Sequence, residues 1–219
     1  AIRWCRISQD SDIISLSLGT APGSSYSTSS DTLEAVREAL EDGIFVIAAA
    51  GNSDPQQNIS DVSSPASLTG VIAVGAHDRG GDPWVDSAVG AEVDPETGEE
   101  RTFPNQKPEI LAPGVDLWSC RDSDRDPPYA FSTGTSDSTV MVTGALALIL
   151  SLHGEHIAGE NGIIELHEMN LVKVALANSA QSDPSLLQTH HPKKGYGLLD
   201  AGEWSRQVEI EFGITQENT

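Results

Sequence analysis

Gly43-Ile44-Phe45-Val46-Ile47-Ala48-Ala49-Ala50-Gly51-Asn52 is an unbroken apolar run between two glycines, closed by asparagine. With no polar alternation it predicts a strand buried on both faces, the signature of a parallel sheet covered by helices. Working backward, Ile14, Leu16 and Leu18 alternate with Ser15 and Ser17 over residues 12–18 and predict another strand. A Ser/Thr/Gly loop from Gly23 to Ser30 follows. Ser30 or Asp31 is then expected to cap a helix over about Thr32 to Glu41, with Leu33, Val36, Ala39 and Leu40 on one face. Strand, helix and strand make a βαβ unit, which is right-handed and implies parallel pairing. The expected fold class is α/β, a mainly parallel sheet flanked by helices on both faces, with residues 1–219 as a single domain.

Working forward, a polar loop spans Ser53 to Ser64, and Val71 to Ala76 reads as a third strand. Asp78 to Lys107 is rich in Gly, Pro and charge and reads as surface loops with short strands. Residues 115–119 and 129–133 read as short strands around an acidic turn, a helix is expected over about 163–178, and glycines flank a turn at 195–200. Gly134-Thr135-Ser136 precedes an apolar run from Val140 to Leu152. Thr135 is a candidate N-cap, and a helix so apolar is expected to be buried all round. Ser136 then sits where backbone N–H groups and the positive dipole end are free to stabilise developing negative charge. In open parallel sheets reactive groups gather beyond the carboxyl ends of strands, which is where Asn52 stands. A capped core helix starting with serine and an ordinary Gly-Asn turn are the plainer alternatives.

Six segments in order carry a resemblance: Ser15-Leu16-Ser17-Leu18-Gly19, Ala49-Ala50-Gly51-Asn52, Gly70 to Ala76, Lys107 to Gly114, Gly134-Thr135-Ser136 and Gly195 to Ala201. Together they resemble the C-terminal part of the subtilisin-like serine protease domain. The resemblance implies serine endopeptidase chemistry on a peptide or protein substrate. It makes Ser136 the nucleophile and Asn52 the side-chain donor of an oxyanion hole, with the Ser136 N–H as second donor. It gives Ser17, Leu18 and Gly19 the role of pairing with an extended substrate backbone. Ala49, Ala50 and Gly51 would form one wall of the pocket for the residue before the scissile bond, leaving room for a large or apolar group. An extracellular or secreted setting is implied as well.

The Asp and His motifs of that family, which precede the Ser-Leu-Gly strand, do not occur in these residues. The expectation is that the N-terminal half of the same catalytic domain, or another chain, supplies both. His153-Gly154-Glu155-His156 is the nearest imitation, but His153 lies about 25 Å along the helix from Ser136 at about 1.5 Å per residue. Two residues depart from the family pattern: Asp137 stands where an apolar residue is usual, and Val140 where proline is usual. They favour the alternative of a catalytically degenerate module kept as a structural or binding subunit.

The chain carries 33 acidic and 12 basic residues, a net charge of −21. Such a surface repels nucleic acid and anionic membrane, so neither is an expected partner. Scattered acids instead suggest a protein adapted to high salt, where screening removes self-repulsion. No apolar stretch is expected to span a membrane, the longest being interrupted by Thr143 and Gly144. The start at Ala1 suggests a processed or excised piece, and a sheet lacking its first strands is expected to expose an apolar edge or face. No cofactor is expected. Calcium is suggested only by Asp122-Ser123-Asp124-Arg125-Asp126, which lacks the glycine and glutamate of a calcium loop. Zinc on His153, Glu155, His156 and His167 lacks ligand spacing, and no nucleotide-binding motif occurs. Cys5 and Cys120 could form a single bridge, though no secretory cue favours it, and the four tryptophans are expected to serve packing.

Overall fold

In the computed structural model, residues 1–21, 28–52, 61–94, 97–122, 124–159, 162–180 and 190–214 are described. The elements run α1 (Ile2–Ser8), β1 (Ile13–Leu16), α2 (Ser30–Glu41), β2 (Phe45–Ala49), β3 (Ile72–His77), β4 (Ile110–Pro113), β5 (Leu117–Cys120), β6 (Tyr129–Ser132), α3 (Thr135–Ile157), α4 (Leu166–Ser179) and α5 (Ala201–Glu211). Strands β1-β2-β3-β4 form one sheet in sequence order, with all pairs parallel. Every residue of β2 is buried, so both faces of the sheet are covered there. Val36, Ala39 and Leu40 of α2 and Val142, Leu146 and Ile149 of α3 join β2 and β3 in one core. Strands β5 and β6 form a separate antiparallel ribbon.

Three elements were not anticipated. Strand β4 is four residues long and bounded by Pro108 and Pro113, too short to show a period. Helix α1 buries no residue fully, so its sequence lacks a clear apolar face. Helix α5 does carry a signal: Asp200 accepts from the Glu203 N–H at its N-terminus, and Trp204 and Val208, one turn apart, are its buried pair. The cap of α2 is Ser29, whose hydroxyl accepts from the Thr32 N–H, one residue earlier than expected. Most of the Gly23–Ser30 and Ser53–Ser64 loops, and Ser123 of the acidic turn, lie outside the described residues.

Helix α3 corrects a second expectation. It is not buried all round: Val140 is 53% exposed, Met141 43%, and Leu148 and Leu152 67% each. These residues fall on one stripe, opposite the face that packs on the sheet. At 23 residues, with a mean hydropathy of 1.4 over an 18-residue window, α3 is by length and composition also long and apolar enough to cross a membrane, contrary to the reading that Thr143 and Gly144 interrupt it. Thr143 instead donates to the Ser15 hydroxyl at 2.9 Å, placing the helix beside β1. Residues 196–199 cover the outer edge of β4, with Leu111 N–H donating to Gly197 O and Leu199 N–H to Leu111 O. Among the described residues no strand covers the outer edge of β1. One sheet edge, at β1, and one helix stripe, on α3, are therefore open.

Candidate active site

Parallel pairing delivers the ends of β1 and β2 to the same rim of the sheet, and α3 begins there. After β2 the chain turns sharply at Gly51, whose φ is +110°. A Cβ at Gly51 would stand 2.1 Å from the Ser63 hydroxyl, so both conformation and space require glycine. The turn presents Asn52 to the start of α3. Its Oδ1 accepts from the Thr135 N–H at 3.0 Å and from the Thr135 hydroxyl at 2.8 Å. A backbone N–H can only donate, so the carboxamide oxygen must face Thr135 and the NH2 group must face away. Nδ2 comes within 3.2 Å of the point where a Cβ on Gly134 would sit. Thr135 was expected to cap the helix; instead Gly134 is the N-cap, and the threonine hydroxyl also accepts from the Gly51 N–H at 3.2 Å. That one side chain ties the two segments together.

Ser136 lies in the first turn of α3, half-exposed. Its hydroxyl donates to the Ser17 carbonyl at 3.3 Å, and the Ser17 hydroxyl donates to the Ser136 carbonyl at 3.0 Å. Ser17, Leu18 and Gly19 run exposed beyond the end of β1. Ala49 and Ala50 are buried within the sheet, while Gly51 is partly exposed. The structure thus gathers Asn52, Ser136 and Ser17 at the carboxyl rim. A cleft lined by Ile13, Ile44, Ala147, Leu150 and Gly154 among others lies at the opposite, amino ends of β1 and β2. The rim is the better candidate, because strand ends and a free helix N-terminus converge there.

No histidine among the described residues bonds to Ser136. His153 Nε2 is 2.9 Å from the Ser205 hydroxyl, and His190 Nε2 is 2.9 Å from the Pro108 carbonyl. Neither the zinc set nor the acidic turn gathers ligands: among the described residues no group of three or more His, Cys, Asp or Glu side chains converges. Cys5 and Cys120 are free.

A buried charge cluster, unforeseen in the sequence, fixes the strand on which α3 rests. Glu109 leads into β4 and is 1% exposed; Lys107 is fully buried beside it. Glu109 Oε1 accepts from Lys107 and from Lys173 of α4, each at 2.8 Å, and Oε2 accepts from the Ala73 N–H at 2.8 Å. The Val71 carbonyl accepts from both lysines and the Asn105 side chain from Lys173. Burial pushes the Lys107 amine down to about 7, with Glu109 opposing the fall. Burial alone would raise Glu109, but the two lysines hold it below the usual carboxylate range. Downstream, Gly134 N–H donates to Gly114 O at 2.8 Å and the Ser138 hydroxyl to Ala112 O at 3.0 Å, so the end of β4 seats the first turn of α3. The visible signal was Lys173 itself, a cation in the apolar run Leu171 to Leu176.

Residues 1–198 match the sequence profile of the Subtilase family, Peptidase S8. The chain belongs to the subtilase family. It is 39% identical over 140 residues to subtilisin DY of Bacillus licheniformis, covering 64% of this chain and 43% of that protein. It is 37% identical over 152 residues to subtilisin NAT of Bacillus subtilis subsp. natto, covering 69% of this chain and 34% of that protein. The structure of the prenylagaramide maturation protease PagA superposes with a TM-score of 0.68 at 26% identity, covering 95% of this chain and 66% of that one. This subtilase segment therefore spans less than half the length of both curated relatives. The parallel sheet with its helices accords with the fold of these neighbours.

Proposed function

We propose that this subtilase segment carries the nucleophile and oxyanion hole of a serine endopeptidase. The observation that bears most weight is the Thr135 double contact, which takes the Asn52 oxygen and leaves its NH2 group beside Gly134, two residues before Ser136. In this reading Ser136 Oγ attacks the scissile carbonyl and its proton passes to a histidine supplied from outside these residues. Asn52 Nδ2 and the Ser136 N–H hold the oxyanion. The C–N bond then breaks, the amine leaves with the proton, and water hydrolyses the acyl-enzyme. Small residues at Ala49-Ala50-Gly51 suit a large or apolar residue before the bond, and Ser17-Leu18-Gly19 offers backbone to an extended peptide.

The segment that brings Asp and His, from the N-terminal half of the domain or another chain, would dock on the open β1 edge and the Val140–Leu152 stripe of α3. A fluorophosphonate is expected to label Ser136 when that segment is present, and Ser136→Ala to abolish labelling. An unlabelled complete assembly would overturn the hydrolase reading. Asp137, a carboxylate beside the site, favours the second reading of a non-catalytic module; unchanged function of Ser136→Ala in the intact system would support it.

An extracellular setting fits the family, and the −21 charge fits high salt. The melting temperature should therefore rise with KCl towards molar concentrations. A flat or falling curve would remove the salt-adaptation proposal.

A further inference from the structure

Among the described residues, Asp137 has no counter-ion. Its Oδ2 accepts from the Ser132 hydroxyl at 2.8 Å, at the end of β6, and its N–H donates to Gly134 O at 3.1 Å. Among the described residues no Lys, Arg or His lies within ion-pair distance of it. Oδ2 is 3.8 Å from the point a Cβ on Gly134 would occupy, and Asn52 Nδ2 is 3.2 Å from the same point. A half-exposed negative charge therefore flanks the group assigned to the oxyanion. On its own that charge opposes oxyanion formation, and a cation brought by the substrate would offset it.

Ser17 and Ser136 are bonded in both directions, and the next residue, Asp137, is held by Ser132 at the end of β6. In the endopeptidase reading, a peptide whose acyl part lies along Ser17 to Gly19 has its leaving part beyond Ser136, and Asp137, one residue on, is the carboxylate offered to it. We infer that Asp137 is a specificity residue, selecting peptides with Lys or Arg immediately after the scissile bond. The side-chain cation pairs with the Asp137 oxygen that Ser132 does not use, while Asp or Glu at that position is repelled. This inference rests on the endopeptidase reading and adds the substrate class to it.

The test uses the complete protease and quenched peptides identical except for Lys, Arg, Leu or Glu after the bond. Fluorophosphonate labelling of Ser136 is measured first, because it needs no peptide leaving group. The wild type is expected to favour Lys over Leu in kcat/KM by about tenfold, the order of a partly exposed charge pair. Asp137→Asn, which keeps the shape and an acceptor for Ser132, should bring that ratio close to one. Asp137→Lys should reverse the order so that Glu leads. Labelling together with a Lys-to-Leu ratio unchanged in Asp137→Asn, or with no basic preference in the wild type, overturns this inference alone. Absent labelling overturns the endopeptidase reading and this inference with it.

Discussion

Asn52→Ala is expected to lower kcat of the complete protease about 10²–10³-fold, with KM little changed. The magnitude is taken over from subtilisin, where loss of the side-chain oxyanion donor has that effect. If Asn52 is that donor, as proposed, this chain also supplies a reason for it to be ready before substrate arrives. The Asn52 oxygen is held by two donors of Thr135, so the NH2 group needs no reorientation when the carbonyl becomes an oxyanion. A ground-state carbonyl gains less from that donor than the tetrahedral oxyanion does, which is why the loss should fall on kcat. Truncation also removes the acceptor of the buried Thr135 N–H and hydroxyl, so stability should fall by about 1–3 kcal/mol, a loss separate from the one in kcat. Steady-state kinetics on a peptide substrate, with a melting curve alongside, checks both halves. A loss of stability with kcat unchanged would point to a structural asparagine instead.

The largest expected effect on stability belongs to Glu109→Gln. The carboxylate is the anion of a dry cluster holding two lysines, and removing it leaves buried cations without a partner. Breaking a buried ion pair from one side typically costs about 3–5 kcal/mol. The pH dependence gives a second signature. Glu109 titrates below its ordinary value in the fold, so its contribution is present above the unfolded carboxylate pKa and is lost as pH falls through the lowered one. Lys107 is likewise lowered, to about 7, so stability is fullest above the unfolded lysine pKa and declines as pH falls toward 7. In Glu109→Gln the acid window should vanish, while the alkaline recovery should deepen because the lysines lose their counter-charge. Denaturant unfolding at about pH 3, 7 and 10 separates these windows. A variant as stable as the wild type at pH 7 would show that the cluster is not the anchor of β4.

Where side-chain patterning had a local cause, it was readable. The run from Ile44 to Ala50 is apolar because β2 is covered on both faces, and that alone sets its place inside a parallel sheet. Ile14 and Leu16 alternate with Ser15 and Ser17 because β1 is wet on one side. Asn52 and Ser136 could be paired through resemblance to a family, since 84 positions separate them and nothing local joins them. Thr135 was misread because a hydroxyl at a helix start has two competing acceptor and donor sets, the helix itself and a neighbouring strand end. The tertiary partner won. The exposed stripe of α3 could not be told from a buried one, because hydropathy reports composition and not what lies opposite. Lys107 and Lys173 each reach Glu109 at 2.8 Å only through the fold, and nothing local in the sequence joins Lys173 to the other two.

The most direct measurement is a crystal structure of the complete protease phosphonylated at Ser136. The Thr135-fixed carboxamide predicts a phosphoryl oxygen about 2.7–3.1 Å from both Asn52 Nδ2 and the Ser136 N–H. A phosphoryl oxygen turned to solvent, with the Asn52 NH2 group pointing elsewhere, would contradict the site.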